Sequence, residues 1–212
     1  MKNRYFDITK DTDFIYANAI LLNINYALIS LEMIKNKERY YEIGIFHDEH
    51  TFYFYHIQNI LTACGNLCNV FDNKTKRNKK LRGSEISNRS ERLKEKFGII
   101  KDDYKYVFLK DGRNTNEHFD ERYQEFDYAL GDFNLLYDDM DQSLRHTILS
   151  NVHLRTYDVS NYIYYSYDAN KNPISYNMLD LYEELFKMRE KIEDNPSLNS
   201  AWLDENPTET LQ

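Results

Sequence analysis

The sequence has few of the residues that form tight turns. Its 212 residues include 6 glycines, 3 prolines and 2 cysteines. A β-sandwich or barrel needs many turns, and therefore more glycine and proline than this chain contains. The shortage disfavours such all-β folds and favours long helices.

The sequence is also expected to lack a signal peptide and a membrane span. Met1 is followed by polar and charged residues where a signal peptide would carry an apolar core. No stretch is expected to reach the length of a membrane span. We therefore expect a cytoplasmic protein with no membrane partner.

Aromatic residues are abundant, with 19 tyrosines and 12 phenylalanines. A tyrosine has an apolar ring and a polar hydroxyl group, so it suits half-buried positions and interfaces. The hydrophobic content of 42% is sufficient for one substantial core. We expect a single domain over residues 1–212, with a partly disordered tail over 197–212.

Apolar residues recur at helical spacing in several stretches. Ser87 or Ser90 is expected to cap a short helix that ends before Gly98. The longer predicted helices cover 13–35, a stretch that begins within 38–47 and ends near Phe71, and 176–193. The core face of the last helix is expected to contain Leu179, Tyr182, Leu185, Phe186 and Ile192.

Two stretches rich in tyrosine, valine and isoleucine, 152–157 and 162–167, predict β-strands. Residues 168–173 predict a turn, after which 174–176 can pair back. The fold class is therefore mainly α. It is an antiparallel helical bundle with a small antiparallel β-hairpin or sheet near residues 150–176.

Two clusters of potential metal ligands have alternative interpretations. Cys64 and Cys68 share a helical face and are expected to be small core residues, with a zinc site that includes His56 as the alternative. An acidic run is expected to be solvated, with a divalent-cation site as the alternative. This run contains Asp138, Asp139 and Asp141.

Basic residues are concentrated in one strip, although the whole chain has a net charge of −8. Residues 74–96 contain ten Lys or Arg residues and three Glu residues. Such a strip on an acidic body can follow a phosphate backbone, and the alternative is a solvated connection between helices. The predicted RNA-binding residues are Lys76, Arg77, Lys79 and Lys80.

The stretch from Asp111 to Arg122 combines an arginine, an asparagine and a histidine at the start of a predicted helix. Asp111 and Gly112 supply a turn and a cap. Arg113 would lie in the turn and His118 about one turn into the helix, so both side chains can reach one spot. An apolar stripe continues the helix through Phe119, Tyr123, Phe126 and Leu130.

This combination suits cleavage of a phosphodiester without a metal. The arginine side chain is always protonated and its rigid fork fits a phosphate, while histidine exchanges protons near neutral pH. We predict that His118 accepts a proton from a ribose 2′-OH or protonates the leaving 5′-oxygen. Arg113 would stabilise the developing charge, and Asn114 would donate a further hydrogen bond or fix the turn.

The residues Arg113-Asn114-x-x-x-His118 resemble the signature of the HEPN superfamily. The resemblance implies an α-helical bundle, often a homodimer, in which two motifs meet at the dimer interface. It also implies metal-independent endoribonuclease activity, or binding alone where catalysis has been lost. One HEPN subclass carries a regulatory tyrosine two positions after the histidine. In this chain that position is Asp120, which departs from the pattern.

The expected function is cleavage of RNA by a toxin or phage-defence effector, with a cognate antitoxin as a further partner and no cofactor. The first alternative is a catalytically inactive HEPN-like module that binds RNA or protein. Another alternative is an accessory bundle that binds a small molecule through the tyrosine-rich β segment. If the folded chain brings the second helix near Arg113, then Glu49, His50 and Tyr53 are candidates for supporting residues.

Overall fold

The structure, a computed structural model, describes residues 5–6, 12–37, 48–71, 85–109, 133–150, 155–168, 170, 172–195 and 202–203. This part of the chain is mainly helical and includes a small mixed sheet of four strands. Its α-helices are α1 (Thr12–Lys35), α2 (Glu49–Phe71), α3 (Glu85–Phe97), α4 (Gln142–Leu149) and α5 (Met178–Glu193).

The helices α1 and α2 form the centre of the fold and run antiparallel. Lys37, just after α1, forms an ion pair with Glu49 at the start of α2. The Asn66 side chain, late in α2, donates a 2.9 Å hydrogen bond to Asn23 in α1. The prediction of a first helix over 13–35 and a second one ending near Phe71 is confirmed.

The helix α3 begins at Glu85, which places Ser87 and Ser90 inside the helix. The predicted serine cap is therefore wrong. The Ser90 hydroxyl instead donates a hydrogen bond to the Phe71 carbonyl oxygen at the end of α2. Gly98 follows α3 with a φ of 63°, a left-handed conformation that glycine adopts without steric strain, as expected for the end of a helix.

The sheet is mixed, whereas an antiparallel sheet was predicted. Its strands are β2 (Asn134–Leu136), β3 (Thr156–Asp158), β4 (Ile163–Tyr167) and β5 (Pro173–Asn177), in that order across the sheet. Strands β3 and β4 pair antiparallel, as do β4 and β5, but β2 lies parallel to β3. The chain reaches β3 from β2 through α4, and such a crossover permits parallel pairing.

The helix α5 begins directly after β5 and packs against α1. The Asn177 side chain caps it by accepting hydrogen bonds from two backbone N–H groups. The Lys35 ammonium group of α1 lies 4.3 Å from the ring centre of Tyr182. Leu179 and Phe186, predicted in the core, are 40% and 41% exposed. The buried face contains Leu185 and Ile192, as predicted, together with Met178, Leu181 and Met188.

A short strand pair joins the two ends of the chain. Strand β1 (Tyr5–Phe6) pairs antiparallel with β6 (Trp202–Leu203). The predicted tail over 197–212 thus contains an ordered strand, and its other residues lie outside the described ranges.

The segment Ile15–Lys35 of α1 is long and apolar enough, by length and composition, to cross a membrane. The expectation that no stretch reaches this length is therefore wrong. In this structure one side of α1 is buried in the protein core, where it packs against α2 and α5.

Candidate functional site

The residues predicted to carry the chemistry lie outside the described ranges. Arg113, Asn114 and His118 belong to 110–132, and the predicted RNA-binding residues belong to 72–84. Those RNA-binding residues are Lys76, Arg77, Lys79 and Lys80. Their roles remain predictions. The described residues that flank these segments form a connected set of aromatic and polar contacts.

The residues on either side of 110–132 are both fixed by contacts with the folded core. The Tyr176 hydroxyl group donates a 2.5 Å hydrogen bond to the Leu109 carbonyl oxygen. At the other end, the Phe133 ring meets the ring of Phe54 edge-on, with centres 4.8 Å apart. The Arg155 guanidinium group lies 3.9 Å from the centre of the Phe133 ring. Both flanks are therefore held in defined positions.

These two anchoring points belong to one aromatic cluster. The Tyr164 ring lies 6.5 Å from that of Phe54 and 6.1 Å from that of Tyr176. Tyr164 and Tyr176 are fully buried. This cluster joins α2 to strands β4 and β5, so one chain of ring contacts connects the residues that hold Leu109 and Phe133.

A polar group adjoins this cluster at the start of α2. The Glu49 carboxylate accepts hydrogen bonds from the Lys37 ammonium group and from the Tyr137 hydroxyl. Hydrogen bonding by Lys37, followed by that of Tyr137, lowers the pKa of Glu49. Tyr137 comes directly after β2, four residues beyond Phe133. Glu49 therefore connects α2 to the strand that follows the motif segment.

Two further tyrosines extend this polar group into the protein. The rings of Tyr53 and Tyr157 have centres 5.1 Å apart, and the Lys37 ammonium group lies 5.6 Å from the centre of the Tyr53 ring. Burial raises the pKa of both tyrosines. They are consequently protonated at neutral pH and can act as hydrogen-bond donors, not as bases.

The sheet contains a buried ion pair beside this group. Asp158 is 1% exposed and pairs with Arg145 of α4. It also accepts hydrogen bonds of 3.1 Å from the backbone and side-chain nitrogens of Asn161. Arg145 donates a second hydrogen bond, of 3.1 Å, to the Tyr137 carbonyl oxygen. Arg145 thus fixes α4 to β2 and β3.

The described part of the basic strip makes contacts within the protein. Arg92 and Lys96 of α3 lie 2.7 Å and 3.3 Å from the two carboxylate oxygens of Asp13 in α1. Arg89 donates a 3.2 Å hydrogen bond to the Tyr16 hydroxyl. These three cations help to hold α3 against α1.

The two cysteines are free and buried, as expected for small core residues. The Cys68 thiol donates a 3.3 Å hydrogen bond to the Val107 carbonyl oxygen, and burial raises the pKa of Cys64. His56 is also buried, which lowers its pKa to about 4. Across the described ranges, no group of three or more His, Cys, Asp or Glu residues is arranged to hold a metal ion.

Sequence reasoning identified Glu49 and Tyr53 as possible supporting residues, and both belong to the polar group described above. His50, considered with them, is exposed. Tyr137 and Tyr157 were not singled out, because a high tyrosine count does not show which rings meet. The predicted strand over 152–157 is the only feature of the sequence that indicates burial of Tyr157.

Comparison of the chain with protein-family models, with curated proteins and with solved structures finds no match.

Proposed function

We propose that this chain is a HEPN-type endoribonuclease that cleaves RNA without a metal and acts as a homodimer in the cytoplasm. The observation that carries the proposal is the spacing Arg113-Asn114-x-x-x-His118. The helical fold is compatible with a HEPN-like bundle. The biological role that fits this activity is that of a toxin or a phage-defence effector controlled by an antitoxin protein.

The anchoring of the residues on either side of the motif segment supports the proposal. A catalytic arginine must be held in place, because small displacements of a phosphate-binding group lower the rate strongly. Leu109 is bound by Tyr176, and Arg113 follows it by four residues. Covalent geometry limits the separation of the Leu109 and Arg113 Cα atoms to about 14 Å. The buried aromatic cluster therefore lies within reach of the proposed site.

In the proposed reaction, the ribose 2′-oxygen attacks the adjacent phosphorus while the bond from phosphorus to the 5′-oxygen breaks. His118 takes the proton of the 2′-OH in one protomer, and His118 of the second protomer protonates the leaving oxygen. Arg113 stabilises the charge that develops on the phosphate, with Asn114 as a further donor. The products are a 2′,3′-cyclic phosphate and a 5′-OH.

Glu49 and the neighbouring tyrosines have a positioning role in this proposal. The pKa of Glu49 is lowered, so its carboxylate is ionised at neutral pH and already accepts two hydrogen bonds. The pKa values of Tyr53 and Tyr157 are raised. Since these groups do not titrate near neutral pH, proton transfer is assigned to His118.

The test is RNA cleavage in EDTA by the wild-type protein, Arg113→Ala and His118→Ala. Arg189→Ala and His146→Ala are the matched controls, because both replace the same residue types outside the proposed site. We expect cleavage by the wild type and both controls, and a loss of at least about 100-fold in the two motif variants. Cleavage that stops in EDTA, or that survives both motif substitutions, contradicts the proposal.

A catalytically inactive HEPN-like binding module is the second candidate. The exposed side of α1 favours it, because this side carries large apolar residues suited to a protein partner, including Leu22 and Ile29, which are 50% and 55% exposed. A folded protein that binds RNA or a protein but cleaves none of a broad set of RNAs supports this candidate.

A further inference from the structure

The helix α1 has a second apolar side that the fold leaves exposed. Along this side, apolar residues recur at alternating spacings of four and three. They form what we call the α1 seam: Ile15, Ala19, Leu22, Tyr26, Ile29 and Met33. Ile15, Leu22, Tyr26 and Ile29 are each at least 50% exposed. An exposed apolar stripe of this length usually marks a surface that contacts a partner.

The seam also lacks charge. The sequence has no Asp, Glu, Lys or Arg from 14 to 31 in α1 or from 51 to 71 in α2, in a chain with 29% charged residues. Surface helices usually carry charged residues on their solvent side. The absence of charge on the exposed side, as well as on the buried side, indicates that this side is covered in the functional protein.

A groove between α1 and α2 lies next to the seam. Its volume is about 570 Å³. The α1 wall includes Tyr26, Ile29 and Met33, while Tyr55 and Asn59 contribute to the α2 wall. Since the seam residues of α1 also form a wall of the groove, one partner can contact the seam and insert side chains into the groove.

We infer that α1 of a second copy of this chain packs on the α1 seam and its groove. A repeat of four and three residues is the pattern that packs against another helix, because it keeps one stripe facing the partner. Each copy has a net charge of −8, so an uncharged face is where two copies meet with little repulsion. A basic partner would instead be recognised by acidic residues.

The size of the face fits a dimer. A helix of 24 residues is about 36 Å long, and two packed helices are about 20 Å wide. The resulting area, on the order of 700 Å², is close to the roughly 800 Å² that each partner contributes to a standard interface.

A lipid bilayer is the competing occupant, since α1 has the length and composition of a membrane span. The groove, however, is lined by the amide side chains of Asn23, Asn59 and Asn66. Asn23 and Asn66 use only part of their hydrogen-bonding capacity on each other and on the Ala19 carbonyl oxygen. Amides facing hydrocarbon lose their hydrogen bonds to water, whereas a protein partner can replace those bonds. The groove therefore favours a second copy over a membrane.

This inference rests on the proposed function only in that both involve a homodimer, and the two are measured separately. Oligomeric state is followed by sedimentation equilibrium of the full chain over a range of concentrations. RNA cleavage is assayed on the same preparations. A dimer that breaks at the seam but cuts no RNA rejects the nuclease and retains the interface.

The decisive comparison is Leu22→Glu against Leu144→Glu. Leu22 lies in the seam and Leu144 in α4, and they are 50% and 46% exposed. Both substitutions introduce one negative charge at the position of a half-exposed leucine. Only Leu22→Glu would bury that charge in the interface. We expect a wild-type dimer, an unchanged Leu144→Glu dimer, and a dissociation constant raised about thirty-fold or more by Leu22→Glu.

A second measurement remains decisive if Leu22→Glu fails to fold. Leu22→Cys, near the middle of the seam, is expected to form a disulfide-linked dimer on mild oxidation, whereas Leu144→Cys is not. A monomeric wild type at all concentrations, or equal dimerisation of both Glu variants, overturns the inference. So does a wild type that is monomeric in buffer and sediments with phosphatidylcholine vesicles through Leu22.

Discussion

The Tyr137 hydroxyl group donates a hydrogen bond to the Glu49 carboxylate, which joins the end of β2 to the first turn of α2. Glu49 also pairs with Lys37, so one carboxylate holds three separate parts of the chain together. The segment with the HEPN-like motif ends just before β2. The contact therefore links β2, the strand that follows this segment in the sequence, to the central helix pair.

Replacing Tyr137 by Phe removes this hydrogen bond and leaves the ring in place. We expect the free energy of unfolding to fall by about 1 kcal/mol at neutral pH, measured by urea denaturation. Tyr182→Phe is the control, because Tyr182 is also partly buried but its ring stacks on Phe186. Equal losses in the free energy of unfolding of the two variants would show that the hydrogen bond to Glu49 adds no stability of its own.

The same pair makes a prediction about pH. The pKa of Glu49 is lowered in the folded protein, so its stabilising contribution is present above the ordinary value of 4.5 and is lost as the pH falls through the folded value. The stability difference between wild type and Tyr137→Phe should therefore shrink in acid. A difference that stays constant from pH 7 to pH 3 contradicts an ionised acceptor.

The buried pair of Asp158 and Arg145 predicts a larger effect on stability. Arg145→Ala leaves a carboxylate that is 1% exposed without its cation. We expect a loss of about 3 kcal/mol in the free energy of unfolding, because a buried charge then lacks compensation. The control is Arg189→Ala, which breaks a surface pair with Glu193 and should have an effect of about 0.5 kcal/mol or less.

The double variant Arg145→Ala with Asp158→Asn distinguishes the cause of that loss. Removing the carboxylate charge as well should restore part of the stability lost in Arg145→Ala, since no unpaired charge remains. If the double variant is less stable than Arg145→Ala by the full effect of Asp158→Asn alone, the two side chains are not energetically coupled.

Burial of His56 predicts acid sensitivity. Its pKa is lowered to about 4 from an ordinary value of 6.5, so the folded protein favours the neutral ring. Protonation of His56 therefore does not reduce the free energy of unfolding above pH 6.5, but reduces it progressively as the pH falls from 6.5 towards 4. We expect His56→Gln to reduce the loss of melting temperature between pH 7 and pH 4.5, while the exposed control His146→Gln leaves it unchanged. Equal losses of melting temperature in the wild type, His56→Gln and His146→Gln would show that His56 does not cause the acid sensitivity.

The elements that sequence reasoning located correctly are those with strong local patterns. The first helix, the end of the second and the strand at 163–167 agree with their predicted positions to within about two residues. Periodicity was only partly correct on α5, where apolar residues occupy two faces: Leu185 and Ile192 are buried as predicted, while Leu179 and Phe186 are 40% and 41% exposed. Only packing against α1 and the sheet selects between such faces.

Long-range contacts explain the elements that were missed. Strand β2 has three residues, too few for a recognisable alternation, and it depends on parallel pairing with β3. The acidic run before α4 is exposed, as expected, and Asp141 also caps that helix by accepting hydrogen bonds from two backbone N–H groups, which sequence reasoning did not foresee. The partners of Glu49 come from after α1 and from after β2, so no local pattern reveals them.

The final prediction concerns RNA affinity. Arg89, Arg92 and Lys96 already contact groups of α1, so RNA contacts are expected from Lys76, Arg77, Lys79 and Lys80. Replacing these four by alanine should weaken RNA binding and lower the slope of log affinity against log salt by about 3. The control replaces four exposed lysines, Lys35, Lys101, Lys105 and Lys187, and therefore makes the same charge change. If both variants reduce the slope equally, only net charge matters. A reduction confined to the first variant locates the contacts in the basic strip.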